Sequence, residues 1–394
     1  MKPVKILLFF FVLSWAAGQL VRIPIGPTGA FQVYDLVAGF LFLSWLVWAV
    51  GIKRQIKLPQ GANWLFVFIV LALIALVNSA RLFSLSQIIA GSLFLLRFIL
   101  YASLYIIVFN TIKKDEVKIW TKLLIGSALI VAAVGFGQLF FFPDLTFLSQ
   151  FGWDPHQGRL VSTFLDPNFV GGFLGLAFIL ATAQFFEDKK PFNIFSSLVF
   201  FLATILTFSR SAYLMLAVAT ILFGILKSRQ LLVGALVLFL VLLVTIPRIS
   251  DRITGGIQID VTAAERLESW SKAAAVFGDN FLLGVGFNNY RFAQADYGFF
   301  TPDQPLGGLS GGGADSSLFL VAATTGILGL VFFGLFWLRI FQFQLKRLSN
   351  FLSLAVLISI TSLIFESQFV NSLFYPPIAG WVFILIGLAT LSQK

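Results

Sequence analysis

The chain has no cysteine and a single histidine, His156. These absences exclude a disulfide framework, a thiolate metal site and a histidine cluster. Charged residues are also scarce, at 11% of the 394 residues against about 25% in soluble domains. Hydrophobic residues make up 59% of the chain, so the composition predicts an integral membrane protein.

Apolar runs long enough to cross about 30 Å of hydrocarbon occur twelve times. They lie near residues 5–21, 31–51, 63–79, 84–110, 119–142, 169–186, 191–208, 211–227, 230–247, 315–340, 351–372 and 375–392. The first has the charged start of a signal peptide, and we interpret it as a membrane helix. The sequence therefore predicts an all-α polytopic membrane protein with about 12 transmembrane helices in one integrated membrane domain.

One long polar segment interrupts these runs. Residues 1–247 are predicted to hold transmembrane helices one to nine, residues 248–314 one large extracytoplasmic loop with short helices, and residues 315–394 helices ten to twelve. Lysines occur in alternate connections, and the positive-inside rule places them, with both termini, in the cytoplasm. The net charge of +10 lies in short clusters between apolar runs, which argues against a nucleic-acid partner.

Basic residues predicted to lie outside are arginines, apart from Lys272. They are Arg22, Arg81, Arg159, Arg210, Arg248, Arg252, Arg266 and Arg291. Since lysine is the topological label in this chain, retained arginines suggest a use for a planar, permanently charged group that grips phosphate. The alternative is that arginines at membrane ends extend to the interface, which is our interpretation of Arg22, Arg81 and Arg248.

Two of these arginines lie near the starts of predicted helices. Asp166 as N-cap and Pro167 as first residue begin the sixth helix, and Arg159 on its approach either packs there or meets an anionic ligand. Arg210 lies in the tight turn 207–212 between helices seven and eight. It is an interfacial anchor or a charge directed into an outward-facing cavity, and so short a turn favours the second.

The outer loop contains a strong helix signal. Thr262 and Glu265 form a capping box. The predicted apolar face of this helix consists of Leu267, Trp270, Ala274 and Phe277. The helix either lies on the bundle or the membrane surface, or its packing presents Arg266 to the same cavity as Arg210.

A glycine-rich hinge, residues 306–317, is predicted to end at Asp315, which opens the tenth helix. Asp315 is either an N-cap, a role that by itself explains an aspartate at this position, or a general base at the mouth of the bundle. A helix N-terminus favours the carboxylate and so weakens it as a base.

Ionisable residues inside the apolar runs are costly unless they are paired or face water. They are Asp35, Arg97 and Glu366. Arg97 either pairs with a carboxylate or binds an anionic lipid headgroup. His156 is interpreted as an interfacial loop residue, with proton transfer near Arg159 as the alternative.

Four segments in order resemble the O-antigen ligase and O-antigen polymerase superfamily, over about residues 90–390. They are RLVSTFLDPNFVGG, LTFSRSAYL, ERLESWSKAAAVFGDNFLLGVGFNNY and DSSLFLVAATTGILGL. The resemblance implies a bacterial inner-membrane, GT-C-like glycosyltransferase with an extracytoplasmic active site. Such enzymes move a glycan from undecaprenyl diphosphate to an acceptor hydroxyl on a glycan or lipid, by inverting displacement without metal or other cofactor.

The resemblance also implies roles for single residues. Arg210 and Arg266 match the arginines that hold the donor diphosphate, and Arg159 is the further candidate for this contact. Asp315, Ser316, Gly326 and Gly329 fit the ligase motif, except that Asp315 replaces its histidine base. This departure favours a polymerase-like or divergent member, with Asp315 as the catalytic residue.

A transporter or flippase of polysaccharide or small solutes is the competing prediction. Twelve helices and buried charges suit it. The sequence has no evident repeated halves, and few Gly- or Pro-interrupted helices occur in matching places. A large outer loop that carries arginines favours the enzyme.

Overall fold

The computed structural model describes residues 2–25, 29–53, 55–300 and 313–393, and 79% of the chain is helical. The α-helices are α1 Lys2–Ser14, α2 Val33–Val47, α3 Ala62–Asn78, α4 Leu85–Thr111, α5 Val117–Phe141, α6 Pro167–Asp188, α7 Pro191–Leu206, α8 Arg210–Leu226, α9 Arg229–Thr245, α10 Pro247–Ile257, α11 Val261–Asp279, α12 Tyr290–Asp296, α13 Ser317–Leu345, α14 Phe351–Glu366 and α15 Pro376–Ser392. The predicted hinge lies largely outside the described residues, since 301–312 are among the others.

A helix occupies each of the twelve apolar runs, so the all-α prediction is confirmed at the level of fold class. Within the described ranges, six helices are long and apolar enough to cross a membrane, or seven if the bent pair α9 and α10 counts as one span. These six spans contain helices α2, α3, α4, α5, α6 and α13. Helices α7, α8, α14 and α15 are apolar but shorter, at 16 or 17 residues.

One short sheet of the structure was not predicted from the sequence. Strands β1 Arg22–Ile25 and β2 Gly29–Gln32 pair antiparallel, with Arg22 opposite Gln32. Gln32 then caps α2: its backbone N–H donates to Asp35 Oδ2 at 3.0 Å. The hairpin thus fixes the start of α2, and Asp35 forms an ion pair with Arg97 Nη2 at 2.7 Å. Arg97 has the carboxylate partner that was one of its two predicted alternatives.

The centre of the bundle consists of helices that are buried on nearly every side. Helices α6 and α15 are buried over most of their length, and α14 packs against α6, α8 and α15. Such helices lack a polar stripe because no face of them meets water. At the other extreme, α9 has no buried residue, and α10 continues from it after a bend of 100°.

Helix α13 is broken at Gly326, which has φ 65° and ψ −169°. A side chain at this position would bring its Cβ within 2.3 Å of the Leu282 carbonyl. The backbone groups released by the break are used by the preceding loop. Val285 N–H donates to the carbonyl of Ala323 at 2.9 Å, and Ile327 N–H donates to the carbonyl of Phe281 at 2.8 Å. The main-chain geometry therefore requires a glycine at position 326.

Candidate functional site

A cavity of about 510 Å³ contains most of the predicted site residues. Its wall includes Asp154, His156, Arg159, Arg210, Arg252, Glu265, Arg266, Ser269 and Asp315. Helices α6, α8 and α11 reach it with residues of their first turns, and α13 begins two residues after Asp315. Helix N-termini carry partial positive charge and unpaired N–H groups. Because helix N-termini and arginines meet here, the cavity is suited to anions, and we call it the anion-binding cavity.

Arg210 is the first residue of α8, and Ser209 is the N-cap. Its Nη1 and Nη2 both donate to Asp260 Oδ1, at 3.0 Å each, and Nη2 also contacts Thr262 Oγ1. Burial would raise the pKa of Asp260, but hydrogen bonds from Arg210, from the Ala263 N–H and from Thr262 outweigh it and lower that pKa. The carboxylate partner of Arg210 therefore lies at the start of helix α11.

The N-terminus of α11 corrects the predicted capping box. Asp260 is the N-cap and accepts from the Ala263 N–H at 2.9 Å, so Thr262 and Glu265 do not fill the N-cap and N3 positions. Thr262 instead donates to Asp260 Oδ1 at 3.0 Å. A carboxylate two residues earlier satisfies the first turn, and it also completes the contact with Arg210.

The packed face of α11 also differs from the prediction. Ala273 and Val276 are buried, whereas Leu267 is 49% exposed. The contact with α13 decides which face is covered. Trp270 packs on Phe319 with ring centroids 6.0 Å apart. Arg266 precedes Trp270 by four residues and so lies on the covered side, beside the cavity.

Asp315 is not the N-cap of α13. Ser316 fills that position and accepts from the Phe319 N–H. The backbone of Asp315 is held by α11: its N–H donates to Ser269 Oγ at 3.0 Å, and Trp270 Nε1 donates to its carbonyl at 3.2 Å. The carboxyl of Asp315 is thus left at the cavity, and the capping interpretation is wrong.

The charges of Arg266 and Asp315 influence each other. Burial raises the pKa of Asp315; the positive charge of Arg266 opposes this shift, and the negative charge of Glu265 adds to it. Burial also lowers the pKa of Arg266, against the charge of Asp315. An aspartate with a raised pKa is a stronger base than an ordinary one, so this environment favours proton transfer.

Arg159 has a structural role as well as a place in the cavity. Its Nε donates to the carbonyl of Thr207 at 2.9 Å, and Nη2 donates to the carbonyl of Phe208 at 3.3 Å. Burial and the charge of Arg252 lower its pKa to about 9, which leaves it charged at neutral pH. Arg159 therefore holds the turn before Arg210 while it adds positive charge to the cavity. Asp166 is the N-cap of α6, with Pro167 after it, as predicted.

His156 faces the same cavity as Arg159. Its Nε2 is buried and has no hydrogen-bond partner within the structure. Burial, then Arg159 and Arg252, lower its pKa to about 4, so the imidazole is neutral at pH 7. A neutral imidazole between two arginines accepts a proton poorly until another charge enters the cavity. The structure places His156 near Arg159, as the proton-transfer alternative requires, but the lowered pKa does not favour that role.

Asp260 and the backbone contacts of Ser269 and Trp270 were missed as parts of the site. Asp260 could have been predicted as the N-cap, because aspartate is as good an N-cap as threonine. The capping-box pattern that begins at Thr262 favoured a helix start two residues later. The contacts of α11 with Asp315 join residues 45 or 46 apart, and no local pattern predicts such pairs. In the described part of the chain, no three His, Asp or Glu side chains are placed to hold a metal ion.

Comparison with known families gives one match. Residues 195–334 fit the family model described as O-antigen ligase. The matched region runs from α7 to the middle of α13, so it includes Arg210, Arg266 and Asp315 but ends short of Arg159 and His156 on the N-terminal side. No curated protein matches the chain.

Proposed function

We propose that the chain transfers a glycan from undecaprenyl diphosphate to an acceptor hydroxyl at the extracytoplasmic face, and the match of residues 195–334 to the O-antigen ligase family model supports this. The observation that carries this proposal is the meeting of Arg210, Arg266 and Arg159 with Asp315 in one cavity at converging helix N-termini. The cavity offers an anion site and a carboxyl side by side.

The arginines bind the diphosphate of the donor. Cleavage of the bond between the sugar and the diphosphate leaves an electron pair on the phosphate oxygen, and positive groups already in place stabilise that developing charge. Arg210 has to exchange Asp260 for a phosphate oxygen, whereas Arg266 lies beside the cavity and forms no ion pair within 4.0 Å with any residue that the structure describes. Arg159 contributes charge while its backbone contacts keep it in place. These residues supply the charge neutralisation for a metal-independent displacement.

Asp315 accepts the proton of the acceptor hydroxyl. The hydroxyl oxygen attacks the anomeric carbon from the side opposite the diphosphate, the new glycosidic bond forms, and undecaprenyl diphosphate leaves, so the configuration inverts. Asp315 takes the position that a histidine has in the ligase motif, which favours a polymerase-like or divergent reaction over transfer to lipid A core.

We further propose a membrane arrangement of twelve spans in a bacterial inner membrane. Residues 1–247 supply nine spans and 315–394 three, with both termini in the cytoplasm and residues 248–314 outside. Helices of 16 or 17 residues lie near the lower limit for crossing. Since the chain has no cysteine, single cysteines at Ser250 and Ser228 test this arrangement with a membrane-impermeant thiol reagent: Ser250→Cys should be labelled in intact cells and Ser228→Cys only after permeabilisation.

A deletion strain tests the reaction. Complementation with the wild type should restore polymerised or ligated surface glycan, whereas Arg210→Ala, Arg266→Ala and Asp315→Asn should accumulate the lipid-linked precursor. Arg81→Ala and Asp296→Asn are matched controls, because both side chains are exposed and outside the cavity. Full complementation by all three site variants, or solute transport without any glycan product, would contradict the proposal.

A further inference from the structure

A second cavity, of about 350 Å³, lies beside the anion-binding cavity. Residues of α4, α13 and α15 line it, together with the hairpin end at Gln32 and the segment 287–291. Its wall combines aromatic rings with amide side chains, among them Phe94, Phe169, Tyr375, Asn288 and Asn371. A concave, mostly apolar site with a few fixed polar groups is the usual form of a small-molecule site.

The polar side of this second cavity is a connected hydrogen-bond network. Arg97 Nη2 donates to Asp35 Oδ2 at 2.7 Å and to Gln32 Oε1 at 3.2 Å. Gln32 Nε2 donates to Gln19 Oε1 at 2.9 Å, and Gln19 Nε2 donates to Tyr34 OH at 3.2 Å. Because Asp35 neutralises Arg97, this network offers fixed hydrogen-bonding groups without net charge, which suit hydroxyl and amide groups of a ligand. Arg291, over the Phe94 ring, adds one positive charge to the cavity, whereas four arginines line the anion-binding cavity.

The aromatic side is equally ordered. Phe169 and Tyr375 stack in parallel, with ring centroids 4.0 Å apart. Phe94 lies under the guanidinium groups of both Arg97, at 5.4 Å, and Arg291, at 5.0 Å. A sugar ring presents C–H faces to aromatic rings, and its hydroxyls both donate and accept, as amides do. The combination of walls thus matches a polyhydroxylated ring.

The two cavities are separated by single residues at two places. Asn168 faces the anion-binding cavity and its neighbour Phe169 faces the second one. Gly313 faces the anion-binding cavity, and a Cβ added to it would lie 3.4 Å from Asn371 Nδ2, in the wall of the second. Asp315 follows Gly313 by two residues. A ligand in the second cavity therefore lies on the far side of a thin partition from the donor diphosphate.

We propose that the second cavity binds the acceptor glycan, as a neutral sugar ring held between aromatic rings and amides, while the donor occupies the anion-binding cavity. This inference rests on the proposed function, because it supplies the second substrate of that reaction. The cavities divide the two substrates by chemistry: arginines at helix N-termini bind the donor diphosphate, and aromatic rings with amide groups bind the acceptor ring. For the reaction, the acceptor hydroxyl has to extend past the partition to Asp315, in the wall of the anion-binding cavity.

Kinetics of the purified protein test the inference. Ala379, in α15, faces the second cavity, so Ala379→Phe fills it. We expect the KM for acceptor to rise about tenfold or more and the KM for donor to change less than about twofold, since only acceptor binding free energy is lost. Ala235→Phe fills a separate apolar cavity between α8 and α9 and is the matched control, with both KM values unchanged.

A second variant avoids the risk that Ala379→Phe does not fold. Asn288 faces the second cavity with φ 59°, a conformation that glycine adopts readily, so Asn288→Gly removes the amide and leaves the backbone in place. The KM for acceptor should rise about three- to tenfold, the effect of one lost hydrogen bond. An unchanged acceptor KM in both variants would overturn the inference, and so would a rise confined to the donor KM.

Direct binding separates this inference from the proposed function. Saturation-transfer NMR uses oligosaccharides released by mild acid from the host's own lipid-linked pool as the probe. We expect signals with wild type and with Arg210→Ala, and their loss in Ala379→Phe. Transfer activity in wild type with unaltered binding in Ala379→Phe would refute the acceptor site and leave the reaction intact. Binding that Ala379→Phe abolishes, in a protein without transfer activity, would refute the reaction and leave a sugar site.

Discussion

Replacement of Gly326 by alanine tests the structure at the point where residues 281–286 join helix α13. The residue has φ 65° and ψ −169°, a region that is nearly restricted to glycine. A Cβ there would lie 2.3 Å from the carbonyl carbon and oxygen of Leu282. No side chain can move to relieve this contact, since both atoms belong to the main chain.

The cost follows from the backbone contacts at the break. Strain at such a conformation costs about 1–3 kcal/mol. Three main-chain hydrogen bonds join residues 281–286 to α13, including that from Gly286 N–H to the Thr324 carbonyl at 3.0 Å, and each is worth about 0.5–1.5 kcal/mol. We therefore expect Gly326→Ala to lose roughly 3–7 kcal/mol, a large share of the about 5–15 kcal/mol that stabilises a typical native protein.

Thermal stability in detergent measures this loss, as the fraction of monodisperse protein that remains after heating. Gly334→Ala is the matched control: it lies on the same helix, and an added Cβ would meet no atom within 4 Å. Gly334→Ala should keep the wild-type profile, while Gly326→Ala should lose its monodisperse fraction at clearly lower temperature. Identical profiles for the two variants would refute the proposed requirement for a left-handed backbone at residue 326.

Three further predictions concern the anion-binding cavity. Because the pKa of Asp315 is raised and its base form is the carboxylate, transfer should fall as pH decreases through that pKa. Glu265→Gln removes a negative charge that raises this pKa, so it should move the acid limb of a rate profile to lower pH. The folded pKa of His156, about 4, lies below its ordinary value of 6.5, so stability should decrease as pH falls from 6.5 towards 4, and His156→Gln should flatten this part of a melting-temperature profile. Asp260→Ala removes the cap of α11 and the partner of Arg210. It should cost about 0.5–2 kcal/mol in thermal unfolding, and it should lower the KM for donor because Arg210 no longer has to exchange a carboxylate for a phosphate oxygen.

The sequence predicted the helices well because a lipid-facing or buried helix is apolar over its whole length. The break between α7 and α8 was also predictable, since Ser209 caps α8 and a longer helix would overshoot the bilayer. Arg210 and Arg266 were recognised as candidates for one cavity from the contrast between outer arginines and inner lysines.

The parts that could not be predicted depend on contacts distant in sequence. The contact with α13 determines which face of α11 is covered. Ser316, and not Asp315, is the N-cap of α13 because α11 holds the backbone of Asp315. The break at Gly326 depends on a loop that precedes it by about 40 residues and folds back. Helical periodicity describes only one helix at a time, so it contains none of this information.

The bend between α9 and α10 connects the anion-binding cavity to the mechanics of the bilayer. Helix α9 has 17 residues, so it spans about 25 Å, less than the about 30 Å of hydrocarbon. It packs against α8 on one side and has no fully buried side chain. A thicker bilayer would therefore have to thin around α9 or displace the end of α9 that joins α10. That end turns by 100° into α10, whose Arg252 faces the cavity and whose Arg248 holds the carbonyls of Gln157 and Gly158. A change in lipid chain length should thus alter the positions of these arginines and the rate of transfer, although the amino-acid sequence stays the same.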